Sequence, residues 1–180
     1  MKVIRKGMFE TNSSSIHSLV LKKEDCYFYT DGRKKLYIKW YDFDGNIKNL
    51  LTLEDKVSYL VTHMGNRKKY SVESYQELIE ELEESYDFRD IKKIVLEAFD
   101  KELVFKKLTK SEEKNFEDIV SVNHELSDVY MYGLDALLED MNEYYDYNSD
   151  DENKNKLVVQ DLTLEEFLTN AKIGIEVDHD

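Results

Sequence analysis

A chain of 180 residues with 41% hydrophobic content and 12% aromatics carries enough apolar surface for a sizeable core, which excludes wholesale disorder. No apolar run approaches the roughly 18 residues of a membrane span, and the single Cys26 excludes an internal disulfide or a cysteine-built zinc cage. The formal net charge of -14 is unevenly placed: residues 1–40 hold 9 Lys/Arg against 4 Asp/Glu, and the remainder holds 16 against 35. Such a surface repels nucleic acid over most of its area and is drawn to basic partners; the plainer reading is solubility alone.

The opening Met1-Lys2-Val3-Ile4-Arg5 has no apolar signal core, so a cytoplasmic chain is expected. Residues 16–23 and 26–43 read as strands, with Tyr27-Phe28-Tyr29 and Leu36 to Tyr41 supplying aromatic and β-branched residues. Asp31-Gly32 is a hairpin signal and Asp44-Gly45-Asn46 a second turn, which together predict a basic antiparallel unit over 1–45. Cys26 fits there as a small core residue.

From Thr52 the period becomes helical. Thr52 to Asp55 caps a helix with Leu53, Val57, Leu60, Val61 and Met64 on its apolar face, and Gly65 is placed to stop it. A second helix is predicted from Val72 to Tyr86, through Tyr75, Leu78, Ile79, Leu82 and Tyr86, its opposite side almost continuous glutamate. A third spans Arg89 to Phe99, and residues 103–105 and 118–123 look like short strands. A fourth helix is expected over 127–145, a polar surface loop over 146–156, and a strand at Leu157-Val158-Val159. Thr163 to Glu166 forms another capping box, and residues 172–177 alternate like a closing strand. The fold class is therefore α+β in a single domain over 1–180: a small N-terminal antiparallel sheet packed with about four to five helices, and a closing C-terminal strand. Residues 46–180 form its acidic, mainly helical part.

The densest set of hydrogen-bonding side chains is Glu10, Thr11, Asn12, Ser13, Ser14, Ser15, His17 and Ser18. Such residues favour turns, and successive backbone N–H groups in a turn can form an anion-binding nest, to which Lys2, Arg5 and Lys6 would add charge. The alternative is a structured turn feeding the first strand. For catalysis, a serine needs a base within reach and a third group to orient it. Ser13 and His17 lie too far apart in a strand, so His124, in Asn123-His124-Glu125, would have to complete a site with Glu10 and Ser13 to Ser15. His63 reads as a helix C-terminal residue favoured by the dipole, and His179 as tail. Asp146, Asn148 and Asp150 suggest a calcium loop, but Asp151 stands where the turn needs glycine and Leu157 where a glutamate belongs. No metal and no cofactor are expected.

Two acidic tracts remain. Residues 73–90 hold eight carboxylates against one arginine. Residues 139–152 hold seven with no base: Glu139, Asp140, Glu143, Asp146, Asp150, Asp151 and Glu152, interleaved with Tyr144, Tyr145 and Tyr147. Tyrosine adds contact area at low entropic cost, which suits a partner-binding surface.

Across Arg5-x-Gly7-x-Phe9-Glu10-Thr11-Asn12-Ser13-Ser14-Ser15-x-His17-Ser18 the chain resembles a family of small proteins of phages and mobile elements in Firmicutes. Weaker echoes fall at Val122 to Glu125, where Asn123 and Glu125 depart from the family's pattern, and from Phe167 to Asp178. The chain is also similar to anti-CRISPR proteins of this type, which inhibit the type II effector nuclease. That resemblance implies a binding inhibitor rather than an enzyme, working in the bacterial host's cytoplasm. Its partner would be the nuclease, with guide RNA or target DNA contacts through the basic amino end. The alternative is a phage enzyme acting on a phosphorylated or nucleotide substrate through the Ser/His/Glu set.

Overall fold

The structure is a computed structural model, and it describes residues 4–6, 15–21, 32–41, 49–50, 52–120 and 163–179. The fold is α+β. Strands β1 (Ile4–Lys6), β2 (Ser15–Leu21), β4 (Asn49–Leu50) and β6 (Ile173–His179) form an antiparallel sheet in the order β1-β2-β6-β4. A second sheet pairs β3 (Lys35–Ile38) with β5 (Glu102–Phe105), in parallel. Here the expectation of one antiparallel unit over the first 45 residues needs correction. The partner of β3 among the described residues comes from beyond the helical stretch 53–99, and a parallel pair needs such a long crossover. Residues 27–29, the 44–46 turn, Cys26, the 127–145 helix, the 146–156 loop and the 157–159 strand lie outside the described residues.

The centre of the molecule is α1 (Leu53–Lys68). Thr52 Oγ1 accepts from Asp55 N–H at 3.0 Å while the Asp55 carboxylate accepts from Thr52 N–H at 3.1 Å, so two otherwise orphaned donors are satisfied reciprocally. Every residue from Lys56 to Asn66 is buried, polar ones included. A helix buried all round must satisfy its polar side chains internally. Ser58 and Thr62, one turn apart, accept the backbone N–H groups of Lys39 and Tyr41 at 3.0 and 3.2 Å. Asp55, a turn earlier, accepts from the Tyr41 hydroxyl at 2.5 Å. A polar stripe on α1 thus receives the extended chain that leaves β3. Lys56 Nζ donates to Phe167 O and Asn170 O at 2.8 and 2.9 Å, holding the last turn of α6 (Leu164–Thr169) where a cation complements the helix dipole.

Gly65 does not end α1. It lies inside the helix, where an added Cβ would come 2.7 Å from Val120 Cγ1 and 2.8 Å from Trp40 Cζ3. The glycine serves close approach rather than a positive φ. His63 is likewise no dipole cap: it is buried mid-helix with its ring 4.5 Å from that of Tyr59.

The predicted second and third helices are α2 (Tyr75–Glu84) and α3 (Tyr86–Phe99), and the boundary between them falls at Ser85, so Tyr86 opens the third rather than closing the second. At the break, Ser85 is extended (φ -68, ψ 148), and its hydroxyl donates to Leu82 O and accepts from Phe88 N–H. One serine therefore closes one helix and caps the next. The break also turns Tyr86 away from the apolar stripe, leaving it 80% exposed under Arg89. Asp100, left-handed at φ 50, ends α3 through its N–H to Leu96 O.

Residues 118–120, predicted to begin a strand, instead belong to helix α5 (Phe116–Ile119) and its end; it follows α4 (Lys110–Lys114). The cause is burial at i, i+4: Phe116 and Val120 both enter the core, a helical rather than an alternating pattern. Around α1 the core gathers Val57, Leu60, Leu78, Leu82, Ile91, Phe167 and Ile175. Phe105 stacks between Trp40 and Phe88, at 5.9 and 5.3 Å between ring centroids.

Candidate functional site

The antiparallel sheet joins the two ends of the described chain. Ser15 lies opposite His179 and His17 opposite Val177, so the two histidines stand two register positions apart across β2 and β6. The strand begins at Ser15, one residue ahead of the predicted start, and His179 belongs to a strand rather than a tail. Residues 173–177 alternate Ile-Gly-Ile-Glu-Val, and the partner strand carries the apolar run Leu19-Val20-Leu21 opposite Ile175, Gly174 and Ile173. Arg5 and Lys6 occupy β1, opposite Val20 and Leu19. Lys2, Glu10, Ser13, Ser14 and His124 lie outside the described residues, as does the whole tract from Glu139 to Glu152. No group of three or more His, Cys, Asp or Glu side chains among the described residues is arranged to hold a metal ion.

A clear charged surface does appear on α2. Glu77, Glu80, Glu81, Glu83 and Glu84 are exposed, as is Glu73 just ahead of the helix, while Leu78 and Leu82 on the other side are fully buried. The separation follows from the helical period, which sends one apolar stripe inward and leaves the glutamates in water. Cations reach this surface from α1: Lys68 Nζ lies 2.8 Å from Glu81, and Arg67 3.8 Å from Asp87. Burial holds the Arg67 guanidinium below its ordinary pKa, and the Asp87 carboxylate works against that shift. Glu81 is the one α2 glutamate so paired among the described residues, and the other exposed ones keep their charge toward solvent. A surface of this kind can attract cations over distance.

Neither a family model, nor a curated protein, nor a solved structure matches the chain.

A cleft of about 460 Å³ opens between α3 and α6, lined by Asp90, Lys93, Ile94, Glu97, Ala98, Thr163, Leu164 and Glu165. None of these is a histidine, cysteine or serine, and three carboxylates share the lining with one lysine. No helix among the described residues is long and apolar enough to cross a membrane. What the sequence pattern did not reveal is that the parallel pairing of β3 and β5 brings exposed Lys106 level with Lys39, beside a face that carries Lys35, Tyr37 and Glu102. Its one sequence signal is the alternation Lys35-x-Tyr37-x-Lys39, in which the buried positions are Leu36 and Ile38.

Proposed function

We propose that this chain is a phage-derived anti-CRISPR protein that binds the type II effector nuclease and blocks DNA cleavage by contact rather than by catalysis. The observation that carries this reading is the separation of charge, with a cationic amino end joined to a remainder rich in carboxylates. The exposed glutamates of α2 and its approach are part of that remainder. The target carries positively charged channels for the guide–target heteroduplex and for the displaced strand, and must dock a nuclease domain before it cuts. Spaced carboxylates suit such a channel because they meet cations already placed for phosphates. The tyrosine-bearing tract from Glu139 to Glu152 adds aromatic contact area to its charge and is the proposed contact surface. The resemblance of the opening motif to phage and mobile-element proteins supports this reading, with the bacterial host's cytoplasm as the proposed place of action.

The test is cleavage by the guide-loaded nuclease in the presence of the purified chain. Reversing charges within Glu139–Glu152 weakens inhibition and flattens its dependence on salt. Inhibition that is unchanged in that variant across salt removes the tract from the mechanism.

A further inference from the structure

The two-stranded parallel sheet has one side in the core and one side open. Leu36, Ile38 and Leu103 are 5%, 0% and 7% exposed on the inner side. The alternation of a strand sends the intervening positions outward. Lys35, Tyr37 and Lys39 are all exposed, with Glu102 beside Lys35 and partly buried Val104 beside Tyr37. The ladder continues one step further, Lys106 N–H donating to Ile38 O at 3.0 Å, which brings exposed Lys106 level with Lys39. Arg33 and Lys34 lead into the strand and Lys107 follows the other, all exposed. Buried Lys101 donates to Arg33 O at 2.6 Å and so fixes where the two strands begin. Carboxylates offset only part of this charge: Glu54 sits 2.5 Å from Lys39, and Glu102 faces Lys35.

Tyr37 is 39% exposed, an aromatic ring held on an open sheet face with a lysine about 7 Å away along the strand on either side. We infer that this face binds single-stranded nucleic acid, Tyr37 stacking on an unpaired base while Lys35 and Lys106 meet phosphates. Stacking on an aromatic platform tolerates any sequence, because every base has a π-face, and a positively charged track supplies the rest of the affinity. A duplex keeps its bases stacked inside and leaves the ring nothing to cover. An acidic peptide meets the lysines but not the ring. The surface is a local exception on a molecule of net charge -14, so its reach is short and its register defined. This inference does not rest on the nuclease reading, since it concerns a free oligonucleotide.

Fluorescence anisotropy of a labelled oligonucleotide of about ten bases, as DNA and as RNA, tests it on the full chain. Saturable binding is expected, with log K falling against log salt at a slope of about -1.4 for about two phosphates. Tyr37→Leu weakens binding about tenfold and leaves the slope alone, as loss of one stacked base requires. Lys35→Glu combined with Lys106→Glu weakens binding and flattens the slope. Tyr37→Phe retains the ring and binds as the parent does, which keeps the test decisive should the leucine variant unfold. A preference for DNA or for RNA supports the inference and tells which sugar the lysines accommodate. Absence of saturable binding at low salt overturns it. So does full affinity in the leucine or double-glutamate variant, equal affinity for a duplex, or displacement of the oligonucleotide by polyglutamate at equal charge.

Discussion

Two buried residues show how closely the chain around α1 is fitted. At Gly65 a methyl group gains about 1 kcal/mol of helix propensity. It would also lie within 3.0 Å of Val120 and of the Trp40 ring, whose Nε1–H is committed to the Tyr75 hydroxyl at 3.0 Å. Forced repacking in a filled core costs about 1–3 kcal/mol, so Gly65→Ala is expected to lower stability to urea despite the better helix former. Stability equal to or above the parent's would show that the Trp40 contact yields freely. Tyr41 gives a second test. Burial, then the hydrogen bond to Asp55, raises its phenol far above the ordinary value of 10.0. The neutral phenol is favoured in the folded state, so its contribution is fully present below about pH 10 and is lost as pH rises above that value and the unfolded chain ionises. Burial raises Tyr75 in the same direction, partly offset by the Trp40 N–H. Urea unfolding followed upward from about pH 9 should show stability falling, with a shallower fall in Tyr41→Phe; equal slopes would contradict the assignment.

At the scale of elements, the legible features were those written in neighbouring residues. The capping boxes at Thr52 and Thr163 begin their helices as spaced, and the apolar stripes of α1, α2 and α3 enter the core. The features that escaped depend on distant partners. Ser58 and Thr62 look like ordinary helix-surface residues until the chain leaving β3 supplies their donors. Lys56 looks like a solvated cation until α6 arrives with its C-terminal carbonyls. Ser85 reads from the sequence as part of the second helix, and its hydroxyl bonds to Leu82 O and Phe88 N–H make it the boundary with the third. Lys56→Met keeps the aliphatic stem but leaves two acceptors at the end of α6 without their ammonium. The expected cost is about 1–3 kcal/mol in urea unfolding, with faster amide exchange confined first to α6. Unchanged exchange there would mean that the lysine does not hold the helix. Of the candidate site, the sequence indicated a strand through His17 but not the pairing that sets Ser15 opposite His179, because that register is fixed by residues 173–179 at the far end of the chain.

For the whole molecule, charge is the organising quantity. The glutamates on α2 and ahead of it, and the lysines of the β3–β5 face, are both products of the same rule: apolar positions turn inward at the local period, and the charges are left on the opposite side. The result is a protein with surfaces of opposite sign, which fits an inhibitor that meets a nucleic-acid enzyme at a site made for polyanions. Association driven by such surfaces weakens as salt rises, whereas association through apolar contact does not. The most direct measurement is therefore target cleavage by a guide-loaded type II effector nuclease, titrated with this chain at low and high salt. Cleavage is expected to stop at a saturating dose, and the dose needed to rise with salt. Cleavage that continues undiminished at saturation would contradict the inhibitor reading.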